Sequence, residues 1–173
     1  MKKEIWTLDE IEVDVSGFFT THHYLESGAG NLGELTFPAF SQHGTYVTHD
    51  GRELLMRKTH WLGTAHELVE SEIVRGRADR PGLLRQDIAV QFDGRQYSLE
   101  PEGLLSWGWF LLDAEGNRLL EIQPRGVFRQ GCYLTVTSAI NADLVAFAYY
   151  LVYTRQQEDA AAAAAVAGAA AAS

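Results

Sequence analysis

Apolar and polar residues alternate in short runs along most of the chain. Between Leu144 and Tyr153, however, ten apolar residues follow one another without a break, inside NADLVAFAYYLVYTRQQED. The short runs include GTYVTH, IAVQF, WGWFLLD and CYLTVT. They are rich in aromatic and β-branched residues, which suit a pleated, half-buried surface. Turn signals separate them: His49-Asp50-Gly51-Arg52, Phe92-Asp93-Gly94-Arg95 and Asp113-Ala114-Glu115-Gly116-Asn117-Arg118. Asp-Gly between two such runs predicts a hairpin, because glycine takes the positive φ that a tight hairpin turn requires. Pro38 and Pro124 stand where a strand ends or lies at an edge. Many short strands at regular spacing predict a sandwich or a barrel.

The unbroken apolar run is a different kind of element. Asn141 is a good N-cap, Asp143 falls in the first turn where the helix dipole favours a negative charge, and Arg155 falls in the last. These signals predict a helix over about 142–157. At 1.5 Å per residue, ten residues cover about 15 Å, half of the ~30 Å core of a bilayer. Charge from Arg155 to Asp159 then ends the run. An interfacial helix would keep a polar face, and none exists between Leu144 and Tyr153. A helix apolar on every side belongs in a core. In an otherwise all-β chain, that means a helix threaded through a closed sheet.

Residues 160–173, AAAAAAVAGAAAAS, have no apolar face to bury and read as a disordered or frayed tail outside a single domain of residues 1–159. The chain of 173 residues carries a net charge of −9 with only three lysines, which argues against a nucleic-acid partner. The single cysteine, Cys132, allows no intrachain disulfide, and the N-terminus lacks the apolar stretch of a secretory signal. A cytoplasmic protein without a transmembrane segment is expected.

The stretch WFLLDAEGNRLLEIQPRGVFRQGCYLTVTSAINADLVAFAYYLVYTRQQ resembles the C-terminal half of the tubby-like superfamily. Its nearest branch is the LURP-one-related proteins, with the phospholipid scramblases as relatives. The likeness rests on the hairpin Phe110–Ile122, the strand Cys132–Thr137 and the helix from Asp143 to Tyr153. It is clear from about Ile88 to Gln157 and faint from Val15 to Arg77. It implies a closed antiparallel barrel of about twelve strands around a central hydrophobic C-terminal helix. It also implies a non-enzymatic module that recognises phospholipid headgroups or another anionic ligand on its outer surface. A protein-interaction or scaffold domain is the alternative. The sequence departs from the family where function is concerned. Lysines are scarce, the cysteine cluster of the scramblases is absent, and Asp113–Asn117 is too short for a calcium loop.

Arg75, Arg77, Arg80 and Arg85 form the one basic cluster, and guanidinium groups suit phosphate or carboxylate. Arg75 and Arg77 would share a strand face. The same arginines could equally pair internally with Glu70, Glu72 and Asp79 on a solvated surface. No catalytic constellation, metal site or cofactor motif stands beside them. Gly28-Ala29-Gly30-Asn31-Leu32-Gly33 spells a dinucleotide fingerprint, but ELTFPAF follows it, which is β-like, so a glycine turn is expected. The six histidines, all between His22 and His66, lack ligand spacing, with His22 and His23 on opposite strand faces. Cys132 reads as a buried structural thiol. Trp107 and Trp109 would share one face, as barrel filling or as an exposed contact.

Overall fold

The computed structural model describes residues 5–6, 10–39, 41–60, 63–80, 86–103, 107–125 and 131–171, without the side chains of Ile5, Trp6 and residues 169–171. Twelve strands close into an antiparallel barrel. In chain order, with β1 (Ile5–Trp6) outside the barrel, they begin with β2 (Glu10–Ser16), β3 (Thr21–Ser27), β4 (Gly30–Phe37) and β5 (Gly44–Thr48). Next come β6 (Glu53–Lys58), β7 (His66–Glu70), β8 (Ile73–Asp79) and β9 (Ile88–Phe92). The last four are β10 (Arg95–Pro101), β11 (Trp109–Asp113), β12 (Arg118–Pro124) and β13 (Gly131–Val136). Each strand pairs with its neighbours in sequence, and β13 closes on β2, with Cys132 opposite Val13. The short β14 (Ile140–Asn141) pairs with β1 beside the barrel and leads into the helix α1 (Ala142–Ala171).

The turn chemistry read from the sequence places the hairpins. Asp93 and Gly94 both have positive φ, 46° and 80°, joining β9 to β10 as a two-residue turn of the primed kind. The glycine-rich stretch is a hairpin as well, since β4 follows it and not a helix. One hairpin lacked a sequence signal. Ser71 and Glu72 turn β7 into β8 at φ 48° and 69° with no glycine at either position.

Alternation sorts the side chains. In β2, Ile11 and Val13 are buried while Glu10, Glu12 and Asp14 face out. In β9, Ile88, Val90 and Phe92 point inward. The outward positions carry charge and the inward ones fill a core, the reverse of a lipid-spanning barrel with its apolar outer band. No helix among the described residues is long and apolar enough to cross a membrane.

The helix occupies the barrel axis. Leu144 to Val152 are nine consecutive residues exposed by no more than 1%. Tyr149 meets His23 of β3, Tyr150 stacks on Phe37 of β4 and meets His66 of β7, and Phe147 lies against Gly76 of β8. Burial on every face is what an unbroken apolar run requires. Gly76 allows the approach, because a Cβ there would lie 3.0 Å from Phe147 Cε1 and 3.2 Å from Leu68 Cβ. The sequence reading ended the helix near Gln157 and expected disorder from residue 160. The structure corrects this, since α1 runs to Ala171 and is exposed from Asp159 to Gly168. Alanine is the best helix former, and adding residues to an existing helix is easy once its nucleus is fixed by packing.

Candidate functional site

The three described arginines of the cluster, Arg75, Arg77 and Arg80, do not converge. Arg75 turns to the N-terminal end of the helix. It donates to Asp143 Oδ2 at 2.6 Å, to Glu70 Oε2 at 2.7 Å, and to both oxygens of Asp93 at 3.1 and 2.9 Å. Its side chain is only 9% exposed. Arg52, from the Asp50-Gly51 turn, grips Asp143 with two nitrogens at 3.0 and 3.1 Å and also reaches Glu70 Oε1 at 3.1 Å. Asp143 itself is 1% exposed. Asn141 Oδ1 accepts from its backbone N–H at 2.8 Å, the N-cap arrangement read from the sequence.

Charge decides what this cluster can do. Two guanidinium groups face four carboxylates, Asp50, Glu70, Asp93 and Asp143, so the cluster is net negative and does not recruit an anion. Hydrogen bonding to Asp143 raises the Arg52 guanidinium above its usual range. Burial opposes the same shift at Arg75, but bonds to Asp93 and Asp143 carry it upward. The cluster fastens the start of the helix to β7, β8 and the β5–β6 and β9–β10 turns. A depression of about 920 Å³ beside it is lined by Asp93, Asp113 and Glu115 against Arg95, again net acidic.

Arg80 serves the other end of the helix, donating to Glu158 Oε2 at 2.8 Å, while Lys58 Nζ donates to Glu158 Oε1 at 2.7 Å. Asp143 and Glu158 are fifteen residues apart on the helix, so Arg75 and Arg80 are held about 22 Å from one another. Arg77 sits on the outer face of β8 opposite Glu67, exposed and without an ion pair among the described residues. Arg85 lies outside the described residues. Sequence reasoning named one partner of Arg75, Glu70, but not Asp93 or Asp143, which come from other elements, nor Arg52, which shares Glu70 and Asp143 with it. The one available signal was an arginine next to a turn glycine, Gly51-Arg52.

His23 and Tyr149 are hydrogen-bonded core groups. Burial and then His22 lower His23 to about 4, and burial pushes the Tyr149 hydroxyl well above its usual range. His23 Nδ1 hydrogen-bonds with Tyr149 Oη at 2.7 Å and His23 Nε2 with Thr21 Oγ1 at 3.2 Å, so the neutral ring donates through one nitrogen and accepts through the other. His22, on the opposite face, contacts Glu34 Oε1 at 2.5 Å. His66 is also buried and lowered to about 4 by that burial. Burial pushes the Cys132 thiol up to about 11, as an inert core group. Trp109 is buried at the start of β11, whereas Trp107 is 71% exposed. They differ because Trp107 precedes the strand, where alternation has not begun.

Neither protein-family models, curated proteins nor solved structures give a match to this chain.

Proposed function

We propose that this chain is a non-enzymatic binding module of the tubby-like, LURP-one-related type, working through its outer surface on a phospholipid headgroup or another anionic ligand. The observation that carries this reading is the filled barrel. Leu144–Val152 occupy the axis at no more than 1% exposure, which leaves the interior to the helix and the outside to ligands. Of the arginines singled out by sequence, Arg77 has the geometry to act. It is exposed and borders a shallow depression of about 290 Å³ with Gly76, Gln91 and Gly94.

Co-sedimentation with neutral and phosphoinositide-containing vesicles at low and high salt tests the reading. Binding to anionic vesicles that falls with salt and weakens in Arg77→Ala is expected. Absence of binding, or binding indifferent to both salt and Arg77, removes it. A protein-interaction module is the second reading, favoured by the adjacent exposed Ile73 and Val74, 68% and 38% accessible at the start of β8. A monomer by light scattering at high concentration counts against self-association through them.

A further inference from the structure

We infer that the open mouth of the barrel beside the start of α1 binds a small organic cation, an amine carried on an apolar body. The inference goes beyond the outer-surface reading and does not depend on it. The place is the depression of about 920 Å³ bounded by the β9–β10 and β11–β12 turns and by residues 138–141, which lead into the helix. A cavity of that size suits a small molecule rather than a single ion or water.

Strand register shows how the mouth is built. Leu99 of β10 and Leu111 of β11 are partners on the inner face of the barrel, both fully buried. Two residues nearer the rim, the same face carries Tyr97 opposite Asp113, and then Arg95 opposite Phe92 of β9. The inner wall thus changes from aliphatic to aromatic and charged over two steps. The helix leaves these positions uncovered, since Tyr97 and Asp113 are half-buried and Arg95 is exposed. Asp143 ties its first turn instead to Arg52 and Arg75. The cavity therefore lies above the packed core and opens to solvent, while Leu144–Val152 stay in place below it.

The lining sets the chemistry. Phe92, Leu119, Ile140 and the ring of Tyr97 supply an apolar wall. Asp113 and Glu115 face it with one opposing cation, Arg95, and none of the three makes an ion pair among the described residues. Asp113 accepts only from neutral groups of its own turn, the Asn117 amide and the backbone N–H groups of Asn117 and Glu115. Those bonds, the Asn117 amide first, hold its carboxyl below the usual range, so it stays charged and uncompensated. The fourth carboxylate of the lining, Asp93, belongs to the Asp143 network, which is itself net negative.

An anion is repelled from such a mouth, and an ammonium group gains from the carboxylates and from the electron-rich face of Tyr97. A metal ion does not fit, because no three His, Cys, Asp or Glu side chains are grouped to hold one among the described residues. An apolar body beside the ammonium group uses the Phe92, Leu119 and Ile140 wall, which a bare ion would leave facing water.

The test is a titration of the full chain followed by amide chemical shifts, with benzylamine as the probe and benzyl alcohol and benzoate as controls of the same body. Saturable shifts at Tyr97, Asp113, Ala114, Ser138 and Ala139 are expected with benzylamine, weaker binding with the alcohol and the weakest with benzoate. Removing one charge about 6 Å from the ligand in a watery cavity changes affinity by about threefold. Glu115→Gln should therefore weaken benzylamine binding and Arg95→Gln should tighten it, each by about that factor, and added salt should shrink both effects. Both side chains are exposed, so the rest of each spectrum should match wild type. Benzoate or benzyl alcohol binding as tightly as benzylamine overturns the inference. So do shifts confined to other faces of the barrel, affinities indifferent to both variants, or no saturable shift at all. None of these results bears on vesicle binding, so the outer-surface reading stands or falls separately.

Discussion

Replacing Asp143 with asparagine removes one buried negative charge and keeps the side-chain shape. Three guanidinium N–H groups now point at its oxygens, at 3.0, 3.1 and 2.6 Å. Asparagine keeps one acceptor oxygen and turns an N–H₂ toward donors. Hydrogen bonds to charged groups contribute about 1.5–3 kcal/mol each, and removing one partner of a buried ion pair costs about 3–5 kcal/mol. The loss falls at the low end of that range. Arg52 retains Asp50 and Glu70, and Arg75 retains Asp93 and Glu70, so neither cation is stranded. The expected cost is ~3 kcal/mol, which for a chain of this size lowers the melting temperature by roughly 6–12 °C. Urea denaturation with an unchanged m-value reads it directly. Because the carboxylate is buried, the loss should be nearly independent of added salt. A loss below about 0.5 kcal/mol, or one that vanishes in high salt, would refute the claim that this network fastens the helix.

Three further outcomes are expected. His23 and His66 are held neutral when folded, with pKa lowered to about 4 against 6.5. The unfolded chain therefore binds more protons between those values, and stability falls as pH drops from about 6.5 to about 4, by up to ~3 kcal/mol for each histidine. Among the described residues His66 Nε2 has no hydrogen-bond partner, and His66→Phe, which removes the titrating group, should flatten that slope in pH-dependent urea melts. Ser71→Asn/Glu72→Gly relieves two left-handed non-glycine residues and should stabilise the protein by about 1–2 kcal/mol in the same melts. Gly76→Ala forces a methyl against Phe147 and Leu68 and should cost about 1–3 kcal/mol.

The fold was legible because its two governing signals are local. Asp-Gly turns between alternating runs specify hairpins, and an apolar run too short for a bilayer yet lacking a polar face specifies a core helix. The buried network was not legible. Arg75 and Asp143 are 68 residues apart, and nothing near Arg75 says that its partner is the first turn of a helix at the far end of the chain. Strand alternation put Arg75 and Arg77 on one face, yet one reaches the helix and the other faces solvent.

Hydrogen exchange at Leu144–Val152, with and without vesicles, tests the central claim that the helix is the core of the barrel and that binding is left to the outside. The account predicts protection at the level of global unfolding in both conditions. Exchange of these amides well before global unfolding, or protection lost when vesicles are added, would contradict it, because the helix would then be leaving the barrel to bind.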